Sequence, residues 1–161
     1  MSTALQRQIG GGHYKDLAIQ PMQFSEFNEL SPTQHTACKY LTRHQVAKGK
    51  EDVEKAIHCA ELMLELAESD WVVNLMELTT IRKVGDYRGV WSRMRKHSIG
   101  RSIAERRERG FPIILPGVYS AANHLPVEEC TAIELLTWAP TRENVQFAIG
   151  TMNEILQRDY P

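Results

Sequence analysis

The sequence has few cysteines, no long apolar run and no recognisable secretion signal. Its 161 residues include three cysteines, which lie far apart and outside any CxxC spacing: Cys38, Cys59 and Cys130. Neither a disulfide framework nor a zinc site is therefore indicated. No apolar run approaches the roughly 18 to 20 residues that cross a bilayer, and the start has no signal peptide. These absences favour a protein of a reducing cytoplasm that does not bind membranes.

The motifs of the common nucleotide-binding and hydrolytic sites are also absent. The chain contains no GxxxxGKS or GxxxxGKT, no GxGxxG, no HExxH and no GxSxG. A P-loop, a dinucleotide-binding fold, a zinc protease and a serine hydrolase are therefore not indicated. A phosphate site in this chain would have to be built in another way.

A stretch of the N-terminal part of the chain recurs, in degenerate form, near the C-terminus. Residues 19–42 and 114–137 match at a fixed offset of 95, and after a three-residue deletion the match resumes at an offset of 92. The identical pairs include Ile19/Ile114, Pro21/Pro116, Ser25/Ser120, Asn28/Asn123, Leu41/Leu136, Val53/Val145 and Ala56/Ala148. Chance gives about one or two identities in each stretch, which indicates an internal duplication. We expect that features kept in both copies serve the fold, and that features kept only in the first serve function.

Hydrophobic periodicity predicts helices and almost no strands. Ser31 as N-cap and Pro32 at the first helical position begin one helix, which we expect to end near Gln45. Further helices are predicted from Glu51 onward and over residues 70–84, 98–109, 126–138 and 142–157.

The sequence therefore predicts an all-α fold with three parts. A first helical unit at 1–68 and its degenerate copy at 113–161 form a pseudo-twofold pair of helical hairpins, joined by a basic helical connector at 69–112. A two-helix module of this size cannot close a core alone. The two units should therefore pack together, and further homo-oligomerisation is expected.

Basic side chains that only the first unit keeps predict a phosphate-binding site. His35, Lys39 and Arg43 recur every four positions and so share one helix face, and His44, Lys48 and Lys50 follow in the next loop. Fixed cationic donors and free amides at a helix start are what a phosphate needs. The second unit replaces Lys39, Arg43 and His44 with Glu134, Trp138 and Ala139. The alternative interpretation is a solvated helix face without a ligand.

A glycine-rich strip near the start of the chain is a further candidate part of this site. His13, Tyr14 and Lys15 follow three glycines and offer an imidazole, a phenol and an ammonium group. Strips of this kind can close over a ligand. The alternative is a tail with no fixed place.

The second predicted helix carries a candidate metal-binding face. Glu54, His58, Glu61 and Glu65 lie at helical spacing, and carboxylates and imidazole in this arrangement can ligate a divalent metal. The alternative is the wet face of an amphipathic helix, because one helix supplies too few ligands.

The connector is strongly basic. Residues 82–109 hold ten Lys or Arg against three acids and are interleaved with Tyr87 and Trp91. Cations that alternate with aromatic rings suit nucleic acid, where charge follows the backbone and rings stack on bases. The alternative is a segment that packs on an acidic helix or on a neighbouring subunit.

Residues 10–68 resemble a family of small bacteriophage proteins, mostly of unknown function. The resemblance is carried by His13-Tyr14-Lys15, Ile19-Gln20-Pro21, Phe24, Asn28, Lys39-Tyr40-Leu41, Arg43, Gly49, Glu51-Asp52 and Lys55-Ala56. The same module is similar to the C-terminal part of the nucleotide kinases of T-odd coliphages, which phosphorylate dTMP and dGMP without a P-loop. The resemblance implies a phage protein that works in the cytoplasm of an infected bacterial host.

Three functions stay open. If the chain is a P-loop-less deoxynucleoside monophosphate kinase, Lys39 and Arg43 would act on the phosphates and Asp52 would hold Mg²⁺. The same cations would serve a non-catalytic protein that sequesters a nucleotide immune signal of the host and needs no metal. A third possibility is an inhibitor that binds nucleic acid or a host protein through residues 82–109.

Overall fold

The protein is helical wherever its structure is described. The computed structural model describes residues 12–68 and 100–161, and these residues contain seven α-helices and no strand. The helices are α1 (Pro21–Asn28), α2 (Pro32–Arg43), α3 (Lys50–Glu68), α4 (Ile103–Glu108), α5 (Pro116–Ala122), α6 (Val127–Thr137) and α7 (Arg142–Asp159). The all-α prediction is confirmed. The helix predicted over residues 70–84 lies outside the described residues.

The start of α2 has the predicted cap. Ser31 Oγ accepts a hydrogen bond from the Gln34 amide at 3.3 Å, and Gln34 Oε1 accepts one from the Ser31 amide at 3.0 Å. This reciprocal capping box satisfies two amides that the first helical turn leaves free. The α-helix ends at Arg43 rather than near Gln45, because the chain tightens there into a short 3₁₀ turn, His44–Val46.

A glycine turns the chain from this 3₁₀ segment into α3. Gly49 has a φ of +57° and donates a hydrogen bond to the His44 carbonyl at 2.9 Å. A Cβ at this position would lie 3.1 Å from the Tyr160 ring. Both the left-handed backbone and the close approach of the C-terminal end therefore favour glycine here.

Two short helices, α1 and α5, were not predicted from the sequence. Each begins with a proline at its first turn, Pro21 in α1 and Pro116 in α5, but the preceding residues are not good N-caps. Glu29, directly after α1, has a φ of 52°, and His124, two residues after the end of α5, has a φ of 53°. These two residues are 95 positions apart, as the two prolines are.

Both predicted units contribute to one hydrophobic core. Helix α2 packs on α3, α6 packs on α7, and α3 packs on α7. Fully buried members of the core from both units include Leu41, Met63, Ile133, Leu136 and Met152. The units therefore pack together within one chain, as expected from their small size.

Two asparagines make reciprocal contacts between the units. The Asn28 side chain bonds the backbone N–H and C=O of Ile114 at 3.0 and 2.9 Å, and the Asn123 side chain bonds those of Ile19 at 3.2 and 2.8 Å. Asn123 and Ile114 are the counterparts of Asn28 and Ile19 at the offset of 95, so the second contact is the first one with the two units exchanged. A twofold relation between the units requires contacts of this kind, and the pseudo-twofold duplication stays an inference from them and from the sequence.

The cysteines are unpaired, and the described helices are either too short or too polar to cross a bilayer. Cys38, Cys59 and Cys130 are free thiols, and burial raises the pKa of Cys38 to about 12. Among the described helices, none has both the length and the apolar content that a bilayer crossing requires.

Candidate functional site

Three basic side chains surround the ring of Tyr40 in the first unit. Lys39 Nζ, the Arg43 guanidinium carbon and Lys55 Nζ lie 4.6, 5.0 and 5.6 Å from the ring centroid. Lys39 and Arg43 come from α2, and Lys55 comes from the neighbouring α3. These distances are within the range of cation–π attraction. We call this group, Lys39, Tyr40, Arg43 and Lys55, the Tyr40 cluster.

Arg43 is held in place by a buried carboxylate. Asp52 is 0% exposed, and its two oxygens accept hydrogen bonds from Arg43 Nη2 at 2.9 Å and Nε at 3.0 Å. The backbone N–H of Lys48 adds a third bond to Asp52 at 3.3 Å. The hydrogen bond to Asp52 is the main reason that the pKa of Arg43 is raised. A bidentate pair of this kind fixes the guanidinium plane.

The glycine-rich strip reaches the same site. Tyr14 accepts a hydrogen bond from Arg43 Nη1 at 3.2 Å, and burial raises the pKa of its phenol, which therefore stays neutral. The His13 ring meets the Tyr14 ring edge-on at 5.9 Å. Lys15 is exposed beside them. The structure thus places Tyr14 against Arg43 and His13 beside Tyr14.

The other basic residues of the first unit differ in how they are paired. Glu51 forms ion pairs with Lys55 and, at 3.5 Å, with Lys48. Lys50 is exposed at the first position of α3. Within residues 12–68 and 100–161, no carboxylate forms an ion pair with Lys39. Lys39 is therefore the member of the Tyr40 cluster whose charge is not balanced by a described acid.

His35 lies one turn from Lys39 and lines an open cleft of about 730 Å³. The cleft is formed by α1, residues 29–31, the first turn of α2 and Arg101. His35 Nδ1 is 2.8 Å from Ser25 Oγ. Burial and then the charge of Lys39 lower the pKa of His35, so the imidazole is neutral at pH 7. The charge of Lys39 in the Tyr40 cluster therefore acts on a residue that lines the cleft.

At the matching offsets in the second unit, the residue differs from every member of the cluster. At the offset of 95, Lys39, Tyr40 and Arg43 become Glu134, Leu135 and Trp138; at the offset of 92, Asp52 and Lys55 become Asn144 and Phe147. At these offsets the basic side chains occur only in the first unit. Asn144 instead donates a hydrogen bond to the Ala139 carbonyl at 2.8 Å.

His44, a predicted ligand residue, belongs to a different set of contacts. Its side chain is 1% exposed, with Nε2 at 2.8 Å from Glu129 Oε1 and Nδ1 at 2.9 Å from the Tyr160 hydroxyl. Both ring nitrogens are thus used inside the protein. Since His44 has no surface to offer a nucleotide, we place it outside the phosphate site.

The surroundings of Asp52, the predicted Mg²⁺ ligand, differ from those that a magnesium site requires. A metal ion that acts on phosphate needs oxygens that face the substrate and water. The oxygens of Asp52 instead face Arg43 and the Lys48 amide, with no exposed surface. In this structure Asp52 positions Arg43.

The predicted metal-binding face of α3 is solvent-exposed. Glu54, His58, Glu61 and Glu65 are all exposed, and His58 Nδ1 is 3.8 Å from Glu61 Oε2. In the part of the chain that the structure describes, the residues that bring three potential metal ligands within 4.8 Å are instead His44, Glu129 and Asp159.

Only the end of the basic connector lies within the described residues. Arg106 pairs with Glu29 at 2.6 Å and lies 4.9 Å from the Phe111 ring, and Arg107 lies 6.0 Å from the Trp138 ring. These arginines contact their own chain. Tyr87, Trp91 and the basic residues at 82–96 lie outside the described residues, so nucleic-acid binding stays a prediction.

Sequence reasoning missed the part that Tyr40 and Lys55 play in the site. Lys39 and Arg43 share a face with each other, whereas Lys55 reaches the ring from another helix, and no periodicity within one helix reveals that contact. A signal was present in the offset comparison, because Tyr40 and Lys55 are also lost in the second unit.

Comparisons with protein-family models, curated proteins and solved structures find no match to this chain.

Proposed function

We propose that this protein binds a nucleotide or a nucleotide-derived small molecule at the Tyr40 cluster. The observation that carries the proposal is the gathering of three cations within 5.6 Å of one ring, with no described acid paired to Lys39. Asp52 already pairs with Arg43 and Glu51 with Lys55, so the charge that an anionic ligand would balance is that of Lys39. A phosphate group has the charge and the acceptor oxygens that ammonium and guanidinium donors match.

The comparison between the units favours a ligand over a structural role for this charge. The first unit keeps three cations where the second has Glu134, Trp138 and Phe147, although the surrounding apolar positions are shared. A charge cluster that both units needed for packing would be expected in both. Its restriction to one unit is what a single ligand site would produce.

The cleft beside His35 supplies space for the rest of the ligand. Its volume of about 730 Å³ lies in the range of small-molecule sites, roughly 300 to 1,000 Å³. Met22, Leu30 and Pro32 give it an apolar wall, and His35 and Arg101 give it polar groups. The phosphates would then lie at Lys39 and Arg43, with the nucleoside directed toward His35.

Of the two nucleotide-based functions, we favour the non-catalytic one. The kinase mechanism needs a carboxylate for Mg²⁺, and both oxygens of Asp52 are hydrogen-bonded to Arg43 and the Lys48 amide. A protein that sequesters a nucleotide needs only fixed cations and a cleft. If the protein is a phage protein, as the resemblance implies, the bound nucleotide would be an immune signal of the host that the protein removes by sequestration.

Isothermal titration calorimetry with a panel of mono-, di- and cyclic nucleotides and with pyrophosphate tests the proposal. Lys39→Glu and Tyr40→Leu copy the second unit, and Glu134→Gln is the matched control at the equivalent position. Loss of one charge-assisted contact, about 1.5 to 3 kcal/mol, should weaken binding by roughly ten- to a hundredfold in Lys39→Glu. Glu134→Gln should bind like the wild type.

Two results would contradict the proposal. One is that no compound of the panel binds folded protein at millimolar concentration, and the other is that Lys39→Glu binds as tightly as the wild type. The kinase version has its own assay: ADP formation from ATP with dTMP or dGMP as acceptor and Mg²⁺ present. Product above background would restore that version in place of the binder.

A further inference from the structure

A buried polar network joins the first unit to the second through His44, Glu129 and Asp159. His44 lies in the 3₁₀ turn after α2, Glu129 in the first turn of α6, and Asp159 at the end of α7. The potential ligand atoms of these three residues all lie within 4.8 Å of one another. Three elements that are distant in sequence thus bring an imidazole and two carboxylates to one point.

The network contains a buried carboxylate oxygen that nothing in the described structure satisfies. Glu129 is 0% exposed; its Oε1 is bonded to His44 and to Arg158, but its Oε2 has no hydrogen-bond partner. A buried charged oxygen without a partner costs free energy, so such atoms are rare in folded proteins. A positively charged group beside Glu129 Oε2 would remove this cost.

The charges around this point are also unbalanced. Arg158 contacts three carboxylates, Glu128 at 2.7 Å, Glu129 at 3.2 Å and Asp159 at 2.7 Å. One guanidinium cannot neutralise three carboxylates, and the surplus is negative whether or not His44 is charged. A divalent cation would remove this surplus.

We propose that His44, Glu129 and Asp159 form a binding site for a divalent transition-metal cation. Imidazole nitrogen with carboxylate oxygens is a donor set that Zn²⁺ and similar ions accept, whereas Mg²⁺ prefers oxygen donors and water. Arg158, whose side chain is 37% exposed, bonds both oxygens of Asp159 at 2.7 and 2.8 Å. A bound ion would take Asp159 and Glu129 from Arg158, which would keep its contact with Glu128.

Tyr160 provides the outer contact that a metal-binding histidine needs. His44 Nδ1 lies 2.9 Å from the Tyr160 hydroxyl, and a proton on Nδ1 that is donated to this oxygen leaves Nε2 free to ligate. The Tyr160 ring is held against Gly49, where a Cβ would come within 3.1 Å. The ligand and its orienting group are therefore fixed by the same turn.

The site has no counterpart on the other side of the pseudo-twofold pair. The residues 95 positions away from His44 and Glu129 are Ala139 and Gln34. Gln34 is fully buried but satisfied, since its amide bonds the Leu136 carbonyl at 2.7 Å and the Arg101 backbone at 2.8 Å. One ion per chain is therefore expected.

Zinc titration of the full chain, first stripped with EDTA and desalted, tests this site by calorimetry and by melting temperature. We expect one Zn²⁺ per chain, a higher melting temperature, and much weaker binding of Mg²⁺. His44→Gln and Glu129→Gln should each weaken Zn²⁺ binding by at least about tenfold, and Tyr160→Phe should weaken it by roughly tenfold. Arg158→Gln should bind Zn²⁺ more tightly, because it removes a competing positive charge, and a purely structural network would not give that result.

The control is the double variant His58→Ala, Glu61→Gln on the exposed face of α3, which should bind Zn²⁺ like the wild type. The proposal is overturned if the wild type binds no Zn²⁺, if Glu129→Gln binds it unchanged, or if the α3 double variant loses it. If His44→Gln and Glu129→Gln do not fold, Arg158→Gln and Tyr160→Phe decide, because opposite shifts in their Zn²⁺ affinity are required.

Discussion

Phe24 stacks on Tyr119, with ring centroids 4.3 Å apart and ring planes inclined by 20°. The two residues occupy the same place in the two units, at the offset of 95, so each ring packs on its own counterpart. Both are 0% exposed. The Tyr119 hydroxyl also bonds Thr42 Oγ1 at 2.6 Å. The contact therefore lies where the two units meet, and it joins α1 to α5 through the core.

Removal of the Phe24 ring should lower the free energy of unfolding strongly, whereas removal of the Tyr119 hydroxyl should lower it only slightly. Phe24→Ala removes a buried ring and should lower the free energy of unfolding by about 3 to 5 kcal/mol. Tyr119→Phe should lower it by about 1 kcal/mol, because Thr42 keeps its hydrogen bond to the Cys38 carbonyl. Urea unfolding followed by circular dichroism measures both. A larger loss for Tyr119→Phe than for Phe24→Ala would show that the ring contact is unimportant.

The two reciprocal asparagines should have similar effects on stability. Asn28→Ala and Asn123→Ala each remove two hydrogen bonds to the backbone of the other unit, and the freed backbone groups lose their partners. We expect a loss of about 1 to 3 kcal/mol for each variant. Asn153→Ala is the control, since its side chain bonds only the Ile149 carbonyl of its own helix and is exposed. If either variant is as stable as Asn153→Ala, its contacts do not hold the units together.

Asp52→Asn separates a structural role for this carboxylate from a catalytic one. The change leaves Arg43 beside a neutral amide, and loss of one partner of a buried ion pair costs roughly 3 kcal/mol. We therefore expect a clear loss of stability. Glu54→Gln, two residues further along α3 and exposed, should change stability by less than about 0.5 kcal/mol. An unchanged melting temperature with a large loss of ADP formation would instead support Asp52 as a metal ligand of a kinase.

Local sequence signals predicted the helices well where a cap or an apolar repeat marks them. Ser31 with Pro32 gave the start of α2, and the predicted range 126–138 is close to Val127–Thr137. Helix α1 was missed because it has eight residues and is preceded by Gln20, which is not a common N-cap. Its position is set by tertiary contacts such as those of Phe24 and Asn28.

The candidate site shows the same limit. Lys39 and Arg43 could be selected from spacing on one helix and from their loss in the second unit. The partners that give them their geometry are Asp52 and Lys55 on α3 and Tyr14 on the N-terminal strip. The network around His44 was not foreseen at all, because Glu129 and Tyr160 are 85 and 116 residues away in sequence. Contacts across helices depend on packing, which a single sequence does not display.

His35 should report directly on a ligand at Lys39. Burial and the charge of Lys39 lower its pKa, while in the unfolded chain a histidine titrates near 6.5. The unfolded state therefore binds more protons between the lowered pKa and about 6.5. The stabilisation from neutral His35 is complete above about pH 6.5 and is lost as the pH falls through the lowered value.

An anionic phosphate beside Lys39 favours the protonated imidazole and should raise the pKa of His35 toward its ordinary value. Lys39→Glu should raise it without any ligand, whereas Lys50→Gln should leave it unchanged, because Lys50 is not among the causes of the shift. Histidine NMR titrations with and without saturating pyrophosphate measure these changes. If calorimetry detects binding but the pKa of His35 does not move, the ligand lies elsewhere and the Tyr40 cluster is not its site.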